Sequence, residues 1–273
     1  MRSATVVLVA TILAVSAEPD VALAAAELQP RTVAAFDRYV AATESRLGQG
    51  AFLWLDGLAD ARRAEEVARV RRGELSIERM TTLEGGREID VPAGLVHHWM
   101  GTAFVPNATV DDALTILQNY DAHERIYTPT VARSRLVGRD GDRFRIFLRF
   151  MLKKIITVVV NSEHEAQFRK PGADRAEGWI HSTRIAEVEN AGEPDEREKP
   201  VGRDGGYLWR LNTYWRMLAR DGGVYIQCES VSLTRGIPMG FGWLVGPFVT
   251  SIPRESMTFT LETTRKQLTM DVR

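Results

Sequence analysis

Five histidines and one cysteine are the residues best placed to do chemistry in this chain: His97, His98, His123, His164, His181 and Cys228. No two histidines stand at H-x-x-x-H or H-E-x-x-H spacing, so no zinc site is expected, and no metal. His97 and His98 are neighbours on a predicted strand and must point to opposite faces. A lone cysteine forbids an intramolecular disulfide and any multi-cysteine metal site. Cys228 reads as a small inward-facing apolar residue rather than a nucleophile. His123 lies beside Glu124 and Tyr127, a pairing that suits proton transfer, although a surface or capping role is the plainer reading. Gly240, Gly242 and Gly246 give G-x-G-x-x-x-G. That misses the dinucleotide fingerprint by one residue and follows no βαβ unit, so no nucleotide cofactor is expected. There is no G-x-S-x-G elbow, and Ser230 and Ser232 fall mid-strand. No catalytic set emerges, and binding is a better expectation than catalysis.

The elements that position these residues are mostly strands. Tyr207 to Ala219 and Val224 to Arg235 flank Asp221-Gly222, a strong two-residue hairpin signal. That turn pairs Arg220 with Gly223, Trp215 with Cys228, Tyr214 with Glu229 and Thr213 with Ser230. One face then carries Trp209, Leu211, Thr213, Trp215 and Met217 beside Ile226, Cys228, Ser230 and Ser232. The other carries Arg210, Asn212, Tyr214 and Arg216 beside Gln227, Glu229 and Leu233. The split predicts a one-sided sheet with an aromatic, sparsely polar inner wall suited to a hydrophobic ligand. Glu229 beside Arg216 and Tyr214 reads as an outer-face cross-strand ion pair.

Earlier strands follow the same logic. Val131 to Gly138 and Arg143 to Phe150 flank a turn at Asp140-Gly141. A β-rich run covers Ile155 to Phe168, a turn falls at Lys170-Pro171-Gly172, and Trp179 to Val188 is the next strand. Arg143, Arg145 and Arg149 recur on one strand face. The plain reading is an exposed basic stripe; the sharper one has Arg149 reaching a cavity to meet an anionic head group. The charged segment 190–206 is long and aperiodic, the pattern of a lid or a loosely ordered loop.

Helices bracket the strands. His97 to Val105 is a strand that turns at Pro106-Asn107, and Thr109 caps a helix with an acidic first turn. Ala113, Leu114, Leu117 and Tyr120 form its apolar stripe. After the last hairpin, 236–246 is glycine-rich and 241–249 is bulky and apolar, with Trp243 and Phe248. A helix is expected from Pro253, with Met257, Leu261, Thr264 and Leu268 on one face. Closing that helix over the sheet leaves a cavity. Its candidate lining is Tyr120, His123, Tyr127, Arg149, Trp209, Thr213 and Trp215, with Cys228, Ser230, Trp243, Phe248, Met257 and Leu261.

Residues 1–26 read as a signal peptide: Arg2, an apolar run from Ala4 to Ala17, then small-x-small cleavage patterns at 22–26. The run is short for a bilayer span, so an exported, periplasmic or secreted protein is expected, with an uncleaved anchor as the alternative. Residues 27–94 form an N-terminal helical extension, too small to be stable alone and expected to pack on the main body, 95–273. Its helices are expected at Gln29–Leu47 and Asp60–Arg72. The chain has 273 residues, 44% hydrophobic and 26% charged, with a net charge of −1. That balance argues against a nucleic-acid partner.

The order strand, helix, several antiparallel strands and long C-terminal helix, over about 95–268, resembles the START-like superfamily. That group spans lipid-transfer START domains, Bet v 1-like proteins and polyketide cyclases. The resemblance implies an α+β helix-grip fold, a curved antiparallel sheet wrapped on the C-terminal helix. It implies an apolar or lipid ligand in the cavity between them, and transient contact with a membrane. It carries over no active-site residue. The first expectation is therefore an exported carrier. A cyclase/dehydrase-like enzyme using His123, Tyr127 or Glu229 is the second, and an interaction module with a filled core is the third.

Overall fold

The computed structural model describes residues 26–153, 157–236 and 242–271, apart from the side chains of 242–250 and 271. The signal-peptide reading of residues 1–25 and the start of the strand at Ile155 and Ile156 lie outside these residues, as do the side chains of Trp243 and Phe248.

The chain begins with β1 (Ala26–Glu27), α1 (Pro30–Gln49) and α2 (Asp60–Arg71), then β2 (Ser76–Arg79), β3 (Leu83–Glu84) and β4 (Arg87–Glu88). Next come β5 (Gly94–Pro106), α3 (Val110–Gln118), α4 (His123–Ile126), β6 (Val131–Asp140), β7 (Arg143–Lys153), β8 (Thr157–Gly172) and β9 (Arg175–Glu189). The last elements are β10 (Arg197–Glu198), β11 (Arg203–Asp204), β12 (Arg210–Arg220), β13 (Gly223–Arg235) and α5 (Gly242–Asp271).

The main sheet is antiparallel and curved, in the order β2-β5-β13-β12-β9-β8-β7-β6. The last strand, β13, pairs with β5, so the meander closes back on its beginning. α3 and α4 fill the crossover after β5. α5 follows β13 onto the same face and packs chiefly on β5. This is the helix-grip arrangement expected from the order of elements.

Local sequence accounts for the joints. Pro30 stands in the first turn of α1, where its missing N–H costs nothing. Thr109 caps α3 in a full capping box with Asp112. Asp221 and Gly222 take φ of 58° and 76°, the left-handed pair that a tight hairpin requires. Every pairing expected across that hairpin is present, from Arg220 with Gly223 to Thr213 with Ser230.

Five expectations need correction. The helix expected from Pro253 starts at Gly242, so Pro253 is interior. Proline there removes one i→i−4 bond, and the apolar residues that follow anchor the helix on the sheet regardless. The β6–β7 turn sits at Gly141-Asp142, because Asp140 still pairs with Arg143. β8 runs through Pro171 to Gly172, and the turn falls at 173–174. The segment 190–206 is not loose. Its β10 pairs with β9 and its β11 with β1. The Glu187 carboxylate, 2% exposed, accepts from the N–H groups of Gly205 and Tyr207 and from Lys199.

The largest correction concerns the sheet's second face, which is not wet. α1 and the turn at 54–57 cover it. Phe36 and Tyr39 of α1 pack with Tyr214, Val231 and Leu233. Leu53 and Leu55 pack with Phe104, Leu218 and Tyr225. β2, from the N-terminal region, adds an edge strand beside β5. The sheet is thus the middle of three layers, with a core on each face.

Candidate functional site

The inner face divides along its length. At one end Ala103, Val105, Met217, Val224 and Ile226 form a dry core with Phe144 and Phe168, closed by α3 and α5. α5 approaches so closely at Gly101 that a Cβ there would stand 2.4 Å from Leu261 Cδ1 and 3.2 Å from Met257 Cγ. Any larger residue there would force the Leu261 side chain to shift. At the other end the inward residues of the same strands stay partly open. Trp99, Ile180, Ser182, Leu211, Thr213, Ser230 and Ser232 are all only half-buried. Their registers place them side by side: Ser230 faces Trp99 and Thr213, and Ser232 faces His97 and Leu211. The floor of this stretch is a row of hydroxyls between apolar walls.

The same strands show the reverse pattern on their other face, where His98, Asn212, Tyr214, Glu229, Val231 and Leu233 are buried. An open inner stretch backed by a closed outer face is unusual for a one-sided sheet, and it follows from the covering by α1.

The candidate residues fall into groups. Thr213 and Ser230 lie on the accessible stretch. Trp215, Cys228, Tyr120, Met257 and Leu261 are inner-face residues sealed in the core. Tyr127 packs with Val131, Leu148, Phe150 and Phe259 in a small cluster where α4, β7 and α5 meet, and its hydroxyl bonds Thr264 Oγ1 at 2.9 Å. Burial pushes the Tyr127 hydroxyl up to about 12.

His123 is a core residue, not a surface cap. It is 7% exposed, stands edge-on to Tyr120 and Tyr127, and lies 3.2 Å from the Ile116 carbonyl through Nε2. A carbonyl only accepts, so Nε2 carries the proton. Burial lowers its pKa to about 4. Beside it, α3, α4 and α5 border a cavity of about 250 Å³ that reaches Asn119, Arg125 and Gln267.

Arg149 and Trp209 are not on the inner face. Arg149 alternates with inward Leu148 and Phe150, so it points outward, and its guanidinium grips Glu196 with two bonds of 2.9 and 2.7 Å. That grip holds the Glu196 carboxyl down at about 2. Arg149 is therefore committed to the 190–206 segment rather than to a ligand head group. Trp209 precedes β12, where strict alternation has not begun. Its ring joins Phe36 and Leu233, and its Nε1 donates to Asp204 Oδ1 at 3.0 Å.

The outer face holds a polar network that the sequence did not reveal. Glu229 Oε1 accepts from His98 Nε2 at 2.6 Å and from Arg46 of α1. Tyr39 Oη bonds His98 Nδ1 at 2.9 Å and accepts from the Thr82 N–H at 2.9 Å. Arg216 does not pair with Glu229; it donates to the carbonyls of Leu47, Ala51 and Phe52. Nearby, Glu44 Oε1 accepts from Tyr214 at 2.9 Å and lies 3.1 Å from His181 Nε2. Only the spacing of polar residues on α1 hinted at this: Tyr39, Thr43 and Arg46 share a face.

Among the described residues no group of three or more His, Cys, Asp or Glu side chains is arranged to hold a metal. None of the described helices is long and apolar enough to cross a membrane.

No family model matches the chain, and no curated protein matches it in sequence. Solved structures do match in fold. The STAR-related lipid transfer protein of Xanthomonas axonopodis is 18% identical, with a TM-score of 0.44 over 70% of this chain and 98% of that one. Human STARD10 is 9% identical, with a TM-score of 0.46 over 71% of this chain and 69% of that one. The Zhui aromatase/cyclase of Streptomyces is 11% identical, with a TM-score of 0.44 over 66% and 97%. These are likenesses of fold between distant sequences, and no residue role is transferred from them.

Proposed function

From a START-like, helix-grip fold, we propose that this protein is a binding or carrier module for an apolar small molecule seated on the inner face of its sheet. The observation that carries the proposal is the accessible stretch at Trp99, Thr213, Ser230 and Ser232. A face that could bury itself, as its other end does, leaves an aromatic and hydroxyl surface open. That combination of apolar walls with a few polar groups is what small-molecule sites have.

Cargo transfer by transient membrane contact belongs to the same proposal, as does export directed by residues 1–26. A carrier needs no catalytic residue. His123, the first suspect for catalysis, is already bonded to a main-chain carbonyl inside the core.

The test is direct. The protein is purified in native form, extracted with organic solvent, and the extract is analysed by mass spectrometry. Binding of 1-anilinonaphthalene-8-sulfonate is then measured in the wild type and in Ser230→Phe and Thr213→Phe, which fill the stretch. A stoichiometric apolar compound, and dye binding lost in the filled variants with the fold intact, supports the carrier. An empty extract with unchanged dye binding in both variants refutes it. Export is tested separately by expressing the chain with residues 1–26 in a bacterial host and sequencing the N-terminus of the periplasmic fraction. A full-length chain in the cytoplasm overturns that part.

A further inference from the structure

Alternation on β8 sends Ser162, His164, Ala166 and Phe168 to the inner face, and all of them are buried. Ser162 Oγ donates its only proton to the Leu148 carbonyl at 2.9 Å. It must therefore act as acceptor in its second bond, 2.9 Å from His164 Nε2. This fixes the tautomer: Nε2 carries the hydrogen and Nδ1 presents a lone pair. His164 is 3% exposed, and its Nδ1 has no partner among the described residues. Buried polar atoms are nearly always paired, so an orphaned acceptor on a binding face asks for a donor. Burial also lowers the pKa of His164 to about 4, which keeps the ring neutral near pH 7.

The surroundings say what kind of donor. His164 pairs across the ladder with Ser182, which is half-buried like its neighbour Ile180. The Phe150 ring lies 6.4 Å away, edge-on. The polar groups beside it on the accessible stretch, Ser182, Thr213, Ser230 and Ser232, are hydroxyls, and among the described residues the cation of this face, Arg79, stands beside Trp99 on the edge strand β2, five strands away in the sheet order. Two charged groups of the neighbouring strands are committed elsewhere: Arg149 to Glu196, and Glu187 to Lys199 and two main-chain N–H groups.

We propose that His164 anchors the ligand: its Nδ1 accepts a hydrogen bond from a hydroxyl carried by an otherwise apolar molecule. The inference rests on the carrier reading and narrows it. The cargo class is an apolar alcohol: an ether, an ester or an ionised carboxylate has no proton to give to a lone pair.

The test uses three probes of one chain length: dodecan-1-ol, dodecyl methyl ether and dodecanoate. Each displaces 1-anilinonaphthalene-8-sulfonate from the full-length protein. The expected result is that the alcohol binds wild type at least about tenfold more tightly than the ether or the carboxylate. His164→Phe keeps a ring in place and removes the acceptor, so it should erase the preference while leaving ether affinity within about twofold. His164→Gln restores an acceptor and part of the preference. Nitrogen NMR on the wild type gives a readout independent of variant folding. The His164 Nδ1 resonance starts at an unprotonated position and moves toward the hydrogen-bonded one with the alcohol, not the ether. Equal affinity for alcohol and ether in the wild type overturns the proposal while leaving the carrier standing. So does a preference that survives in His164→Phe. If none of the probes displaces the dye, the carrier reading and this inference fail together.

Discussion

His98 Nε2 stands 2.6 Å from Glu229 Oε1, and the two side chains are among the most buried polar groups in the protein. One belongs to β5 and the other to β13, the strands that close the sheet on itself. Arg46 of α1 reaches the same oxygen, and Tyr39 of α1 holds the far side of the imidazole. The N-terminal helix is thus fastened to the sheet by polar bonds as well as by Phe36.

Breaking this group should be costly. Glu229→Ala leaves a buried imidazole N–H and a partly exposed guanidinium without their acceptor. A loss of about 3–5 kcal/mol in unfolding free energy is expected. Tyr39→Phe removes a hydroxyl that serves two partners and should cost about 1–3 kcal/mol. Urea unfolding at pH 7 measures both. A change below measurement error for Glu229→Ala would mean that α1 is held by its apolar face alone.

Acid should weaken the fold in a defined window. His97, His123 and His164 all have pKa values lowered to about 4, chiefly by burial, against 6.5 in the unfolded chain. Between those values the unfolded chain binds more protons than the native one, so stability rises with pH. The native advantage is fully present above about pH 6.5 and is lost as pH falls toward 4, by up to about 1.4 kcal/mol per unit for each histidine. Urea midpoints at pH 7.0, 5.5 and 4.5 check the slope. A flat profile across that window contradicts the burial of these rings.

Gly101 sets the distance between α5 and the sheet. Gly101→Ala places a Cβ against Leu261 and Met257 and should cost about 1–3 kcal/mol through overpacking. Leu261→Ala removes the nearest obstructing atom. The two changes together should therefore cost less than the sum of their separate effects, by about 0.5–3 kcal/mol in a double-mutant cycle. Strict additivity would place α5 elsewhere.

Cys228 should be inert. It is 2% exposed, and burial pushes its thiol pKa far above the ordinary value, so almost no thiolate exists at pH 8. A disulfide-exchange reagent should leave it unmodified in the native protein and react fully in guanidinium. Prompt reaction in native buffer would show that the open stretch extends past Ser230 into the core at Cys228.

The sequence by itself determined what depends on neighbours along the chain. Period-two alternation and the Asp221-Gly222 turn fixed the β12–β13 register residue by residue. Thr109 with Asp112 fixed the start of α3, and the order of elements fixed the helix-grip topology. Tertiary structure alone decided which faces stay dry. Arg216, Gln227 and Glu229 look like a solvated face because polarity is their only local signal. The N-terminal helix and the turn after it, distant in sequence, cover them and make them a buried network. The same holds inside the fold. His164 carries no motif, and its meaning comes from Ser162, whose proton is taken by a carbonyl on the neighbouring strand. Burial and hydrogen-bond partnership are properties of packing between distant segments, and no local pattern encodes them.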